Sequence, residues 1–147
     1  MMAKNTIKLK KYLDVIAEYP AHAAITPGHF VELRSDGKVQ KCTADGAFAI
    51  PMVALEDELQ GRGIGTAYSA NEPVQVMIAQ RGEEVYALLA EDEDVSVGDL
   101  LTCAGDGTLK EAGSSDHPIA QALEALDLSG SSGTFPETGF RIKVRII

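Results

Sequence analysis

The chain has 147 residues, with 13 Lys and Arg against 22 Asp and Glu (net charge −9), 45% hydrophobic and 24% charged residues. This composition excludes a disordered or fibrous chain, no apolar run reaches the ~18–20 residues that span a bilayer, and no apolar stretch follows the N-terminal lysines to make a secretory signal. The length allows one ordinary domain with a core that needs neither metal nor disulfide, and the reading is a soluble protein kept in the cytoplasm in which it is made.

Residues 1–24 form the first segment. Lys4, Lys8, Lys10 and Lys11 give residues 1–11 a charge of +4 with no acid, which leaves −13 on the remainder. Ile7, Lys8, Leu9 and Lys10 alternate, and Tyr12, Leu13, Val15 and Ile16 come next before Pro20. Two readings are open for this arm: an edge strand of the same domain, or an extension that adds a strand to a partner's sheet.

An internal repeat organises residues 25–147. ITPGHFVELRSDGKVQKCTADGAFAIPMVALEDELQG (25–61) lies over VSVGDLLTCAGDGTLKEAGSSDHPIAQALEALDLSG (95–130). Gly28 meets Gly98, Asp36-Gly37 meets Asp106-Gly107, Val39 meets Leu109, and Gly61 meets Gly130 after a one-residue gap. Residues 65–79 then lie over 133–147, with Val74, Val76 and Ile78 meeting Ile142, Val144 and Ile146. Each Asp-Gly between short apolar runs predicts a hairpin, because glycine takes the positive φ the turn requires. RIKVRI at the C-terminus alternates with period two, which predicts a half-buried strand with Arg141, Lys143 and Arg145 on its outer face. MVALEDEL and IAQALEALDL contain good helix formers, but their place in the repeat, bounded by Pro and Gly, predicts a short strand running into a turn. GEEVYALLAE (82–91) is expected as a linking strand, Glu91–Asp94 as an exposed acidic turn, and 129–139 as a surface loop.

The predicted architecture is therefore mainly β: a compact barrel or sandwich, with at most one or two short helices. It is one domain (25–147) made of two pseudo-repeats (25–79 and 95–147) that share a core, preceded by the arm.

Enzyme readings lack a constellation. His22, His29 and His117 are scattered and without metal-ligand spacing, and are expected as surface or turn residues. GDGTLK and GRGIGTA lack the spacing of a phosphate loop or dinucleotide fingerprint and read as turns. A carboxylate pair for sugar hydrolysis would stand beside a thin stacking platform, since there is no Trp, and EDEDVSVGD lacks the order of a calcium loop. The acidic body disfavours nucleic acid, for which only the RIKVRII face could serve. Cys42 and Cys103, without CxxC spacing, are expected as buried or half-buried thiols rather than a disulfide. No catalytic residue, cofactor or metal is expected.

VSVGDLLTCAGDGTLKEA followed by IAQALEALDLSG, with its weaker echo TPGHFVELRSDGKVQK followed by MVALEDELQG, resembles the head decoration, or capsid cement, proteins of tailed double-stranded DNA bacteriophages. The resemblance covers residues 25–147. The chain departs from the family's pattern by Ala120-Gln121 where glycine is common, by its two recognisable copies and by its basic arm. The resemblance implies a β-tulip-like fold and a non-enzymatic virion protein made in the host cytoplasm. Such a protein docks as a homotrimer on the outer surface of the major capsid protein and stabilises the expanded head, without contact with nucleic acid or membrane. The arm is then the expected anchor: Ile7, Leu9 and Tyr12 pairing with a capsid sheet edge, and Lys4, Lys8, Lys10 and Lys11 meeting acidic capsid surface. Arg141, Lys143 and Arg145 are either a solvated face or a further part of that contact. The alternative is a small β-barrel module that binds a ligand or single-stranded nucleic acid.

Overall fold

A computed structural model describes residues 16–131 and 140–147. Among the described residues, twelve strands occur in this order: β1 (Ile16–Pro20), β2 (Val31–Leu33), β3 (Val39–Lys41), β4 (Met52–Ala54), β5 (Pro73–Ile78), β6 (Glu84–Leu88), β7 (Asp94–Val95), β8 (Leu100–Cys103), β9 (Leu109–Glu111), β10 (Ala120–Ala122), β11 (Leu126–Asp127) and β12 (Arg141–Ile146). One 3-10 turn, Glu58–Gln60, is the sole helical element among the described residues. The helix formers of MVALEDEL thus yield β4 and then this single turn.

The repeat is physical. Hairpin β2–β3 pairs Val31 with Lys41 and Leu33 with Val39, while β8–β9 pairs Leu101 with Glu111 and Cys103 with Leu109. Strand β4 pairs Met52 with Ile78 and Ala54 with Val76 of β5, and β10 pairs Ala120 with Ile146 and Ala122 with Val144 of β12. The register is the same in both halves, displaced by 70 residues in the hairpins and 68 in the later strands. Segment 42–51 is two residues longer than 112–119, which accounts for the change.

The equivalence of the two halves extends to two further strands. β1 pairs with β5 (Ile16 with Met77, Pro20 with Pro73) as β6 pairs with β12 (Glu84 with Arg145, Leu88 with Arg141). Within the expected linking strand 82–91, β6 thus takes the place in the second unit that β1 takes in the first, and Ile16–Pro20, in the segment for which an edge strand was one of two readings, pairs as an edge strand. The order β6-β12-β10-β8-β9 forms one five-stranded sheet; in the first unit β1-β5-β4 and β2-β3 keep the same order, joined by the single bridge Phe30–Val53. Lone parallel bridges, Ala21–Val39 and Leu89–Leu109, bring the ends of each set together without closing a barrel.

Local chemistry repeats too. Asp36 and Asp106 each accept from the backbone N–H two residues on, at 3.1 and 3.0 Å, while Gly37 and Gly107 take φ of 83° and 85°. A carboxylate that mimics a turn carbonyl, followed by a left-handed glycine, fixes the hairpin loop. In the next motif Ser96 N–H donates to the Asp99 carboxylate at 2.9 Å, and in the first unit Thr26 N–H donates to Nδ1 of His29 at 3.0 Å. His29 is therefore a turn residue as expected but not a surface one, being fully buried.

Two clusters make the core. Ala21, Ile25, Val31, Val39, Met52, Ala54, Tyr68, Val74 and Val76 fill the first unit. Their counterparts Leu89, Val95, Leu101, Leu109, Ala120, Ala122, Ile142 and Val144 fill the second, in a cluster that also takes Phe30, Cys42, Val53 and Ala79 from the first. The shared core is thus the second unit's core extended across the junction. Cys42 and Cys103 meet there, both free and buried, and the hydrogen bond to Cys42 together with burial pushes the Cys103 thiol far above its ordinary range. Tyr68 is buried, and its hydroxyl donates to the Leu55 carbonyl at 2.6 Å.

At the junction the turn at Pro27–His29 seats on β6 and β12. Leu88 N–H donates to the Gly28 carbonyl at 3.1 Å, and Arg141 donates to the Pro27 carbonyl at 3.2 Å from Nε and 2.8 Å from a terminal nitrogen. The Arg141 side chain also reaches the Ile64 carbonyl. Here the expected alternation of β12 fails. Arg141 is 8% exposed, because the first unit covers this end of the strand, and desolvation draws its pKa down.

This packing makes two outcomes measurable. Replacing Arg141 by Ala leaves two carbonyls at a partly dry junction without their donor and lowers the unfolding free energy by about 1–3 kcal/mol in urea melts, and lysine, lacking the planar fork, restores only part. Arg145→Ala, at an exposed ion pair with Glu84, changes it by less than about 1 kcal/mol. The second outcome concerns alkali. Burial raises the Tyr68 pKa above its ordinary 10, so the unfolded state loses the proton first. The stabilisation is complete below pH ~10 and is lost as pH climbs through the folded value. The stability gap between wild type and Tyr68→Phe narrows between pH 8 and pH 11; a constant gap contradicts the assignment.

Candidate functional site

Of the residues read from sequence as partner-binding, Lys4, Ile7, Lys8, Leu9, Lys10, Lys11 and Tyr12 lie outside the described residues. The chain enters the described body at Ile16, where β1 lies at the edge of its sheet with β5 as its one strand neighbour among the described residues. Ile16 itself is 47% exposed.

Arg141, Lys143 and Arg145 do not act together. Arg141 is committed to the junction, whereas Lys143 and Arg145 remain on the outer surface of β12. Lys143 stands opposite Tyr86 in the β6–β12 register, and Arg145 stands opposite Glu84, with which it pairs at 3.4 Å. Tyr86 is 51% exposed. The structure thus brings together an exposed strip of one aromatic and two cations, bordered by Glu84 and by Glu124, whose carboxylate accepts from Lys143 N–H at 3.0 Å. Tyr86 does not stand out in the sequence, where 82–91 reads as a linking strand with no partner strand assigned. The alternation Val85-Tyr86-Ala87, matched to β12, is the signal that would have exposed it.

A second feature was also missed. An apolar groove of about 490 Å³ opens in the first unit, lined by Tyr19, Leu33, Phe48, Ile50, Met52 and Ile78 among others. Leu33, Phe48 and Ile50 are 51%, 76% and 58% exposed. Large apolar side chains exposed around one concavity give this face the capacity to take up apolar groups. In the sequence, the alternation of Phe48 and Ile50 between Gly46 and Pro51 is the trace of it.

No group of three or more metal-ligating side chains occurs among the described residues, and no helix there is long and apolar enough to cross a membrane. The acidic stretch Glu91–Asp94 forms a turn leading into β7, with Asp92 at φ 64° and its N–H donating to Ser131 Oγ at 3.0 Å. What the surface offers is shape, apolar area and a small patch of cations, which suits binding to another macromolecule.

No protein-family model matches the sequence, and no curated protein matches it. Among solved structures, the chain is similar to the N base of head fiber gp8.5 of bacteriophage phi29, at 14% sequence identity, with a TM-score of 0.62 over 92% of this chain and 95% of that one. The two share a fold across nearly their whole lengths.

Proposed function

We propose that this chain is a structural virion protein of a tailed-phage head that binds the outer surface of the major capsid shell and stabilises the expanded head as a homotrimer. The observation that carries this reading is the fold shared with the base of a phage head fiber over 92% of the chain. It agrees with the independent resemblance of the two hairpin motifs to capsid decoration proteins. The role is non-enzymatic, and the chemistry of the surface is consistent with it. Tyr86, Lys143 and Arg145 supply an exposed aromatic and cationic strip, and in the sequence the lysine-rich residues 1–15 precede β1, which lies at a sheet edge. Several weak contacts of this kind, repeated in an oligomer, add up to tight attachment on a repeating shell.

The test is sedimentation with empty heads. The protein pellets with expanded capsids and raises the temperature at which they open; absence from the pellet at tens of micromolar overturns the reading. Deleting residues 2–15, which spares β1, and the double reversal Lys143→Glu/Arg145→Glu each lower occupancy. The reversal acts more strongly at low salt, because exposed charges are screened.

A further inference from the structure

The chain has two cysteines, one from each unit, and they meet at the junction. We infer that Cys42 and Cys103 are a site of reversible oxidation, where a disulfide forms within the chain and ties the first unit to the second.

The geometry carries this. Cys42 follows β3 and Cys103 ends β8, yet both lie in the cluster that crosses the junction, at 3% and 0% exposure. The backbone holds them from both sides. Gly107 N–H donates to the Cys42 carbonyl at 3.1 Å, Gly46 N–H donates to the Cys103 carbonyl at 2.9 Å, and Asp45 and Ala104 form an antiparallel bridge. The two thiols hydrogen-bond to each other inside this frame. Rotation about χ1 then brings the sulfurs from contact to the ~2.05 Å of a bond.

The repeat shows that packing alone does not ask for thiols here. The equivalence of the hairpins places Leu33 at the position of Cys103 and Ala112 at that of Cys42. Leu33 is 51% exposed where Cys103 is buried. Each unit therefore accepts an ordinary apolar residue where the other has cysteine, and the chain's thiols occur at the two positions that the junction brings into contact.

The pair is reachable from one side. Cys42 lines the apolar groove beside Leu33 and Ala44, so it is the thiol that an oxidant meets first. Its hydrogen bond with Cys103 holds its pKa below the ordinary thiol range, which favours the thiolate, the attacking form. With oxidised glutathione as the oxidant, the Cys42 thiolate attacks one sulfur of the small disulfide, forms a mixed disulfide and expels one glutathione thiolate. The hydrogen bond that raised the Cys103 pKa is then gone. Cys103 gives up its proton and attacks Cys42 Sγ, expelling the second glutathione. The two cysteines lose two electrons and two protons, and one glutathione disulfide becomes two glutathione thiols. Where glutathione is kept reduced the thiols stay free. In oxidising surroundings the bond adds a second covalent link between the units, besides the chain itself. The inference does not depend on the role proposed at the phage head.

The experiment incubates the chain with millimolar oxidised glutathione at about pH 8 without denaturant, blocks the remaining thiols with iodoacetamide, and reads intact mass, a peptide map and thermal unfolding. The protein loses the mass of two hydrogen atoms, runs as a single chain on a non-reducing gel and yields one peptide pair joined through Cys42 and Cys103. Its unfolding midpoint rises by on the order of 10 °C, and dithiothreitol reverses the change. Cys42→Ala, which gives this position the residue found at 112, keeps its far-UV circular dichroism and shows no rise with oxidised glutathione. Thiols that stay free until denaturant is added, a mixed disulfide that persists, a bond between two chains, a bond that leaves the midpoint unchanged or lower, or an equal rise in Cys42→Ala each overturns the inference.

Discussion

The arrangement of the molecule depends on the absence of a side chain at residue 28. The backbone there must come within van der Waals range of the Tyr86 carbonyl, Leu88 and the Arg141 guanidinium, in a conformation that disfavours any residue with a Cβ. That approach brings Gly28 and Leu88 into hydrogen-bonding distance, places Phe30 in the second unit's core and gives Arg141 its carbonyl partners. Without it the two halves would be separate sets of short strands, each too small to bury much. The junction makes them one body.

Much of this was legible in the residues. The Asp-Gly hairpins, the spacing of Gly28 and Gly98, and the alternation of Val74–Ile78 and Ile142–Ile146 each state a local rule of strand geometry, and each is realised in matching register. Other parts were not legible, for identifiable reasons. β1 and β6 correspond in position but share no residue along Ile16–Pro20 and Glu84–Leu88, because an edge strand is constrained mainly on one face. The outer face of β12 was misread at Arg141 for a different reason: alternation reports which side of a sheet a residue is on and says nothing about what another unit lays over that side.

The candidate surfaces divide in the same way. Lys143 and Arg145 were found from alternation, since charge in a strand pattern points outward. Tyr86 and the groove at Leu33, Phe48 and Ile50 escaped because their meaning is relational. An exposed leucine is ordinary on any protein surface; it becomes informative when its counterpart in a repeat is fully buried. Comparing the halves with each other therefore extracts from one chain what would otherwise require a set of related sequences.

The connection between the units is short: Ala79 to Glu83 joins β5 to β6, turning at Gly82. Such a tether keeps the halves at a high effective concentration, so the junction re-forms after each opening without a search. A contact held in this way can rely on buried carbonyls and a desolvated arginine that free partners would be slow to assemble. The covalent link thus makes the boundary within the chain a contact whose strength does not depend on protein concentration.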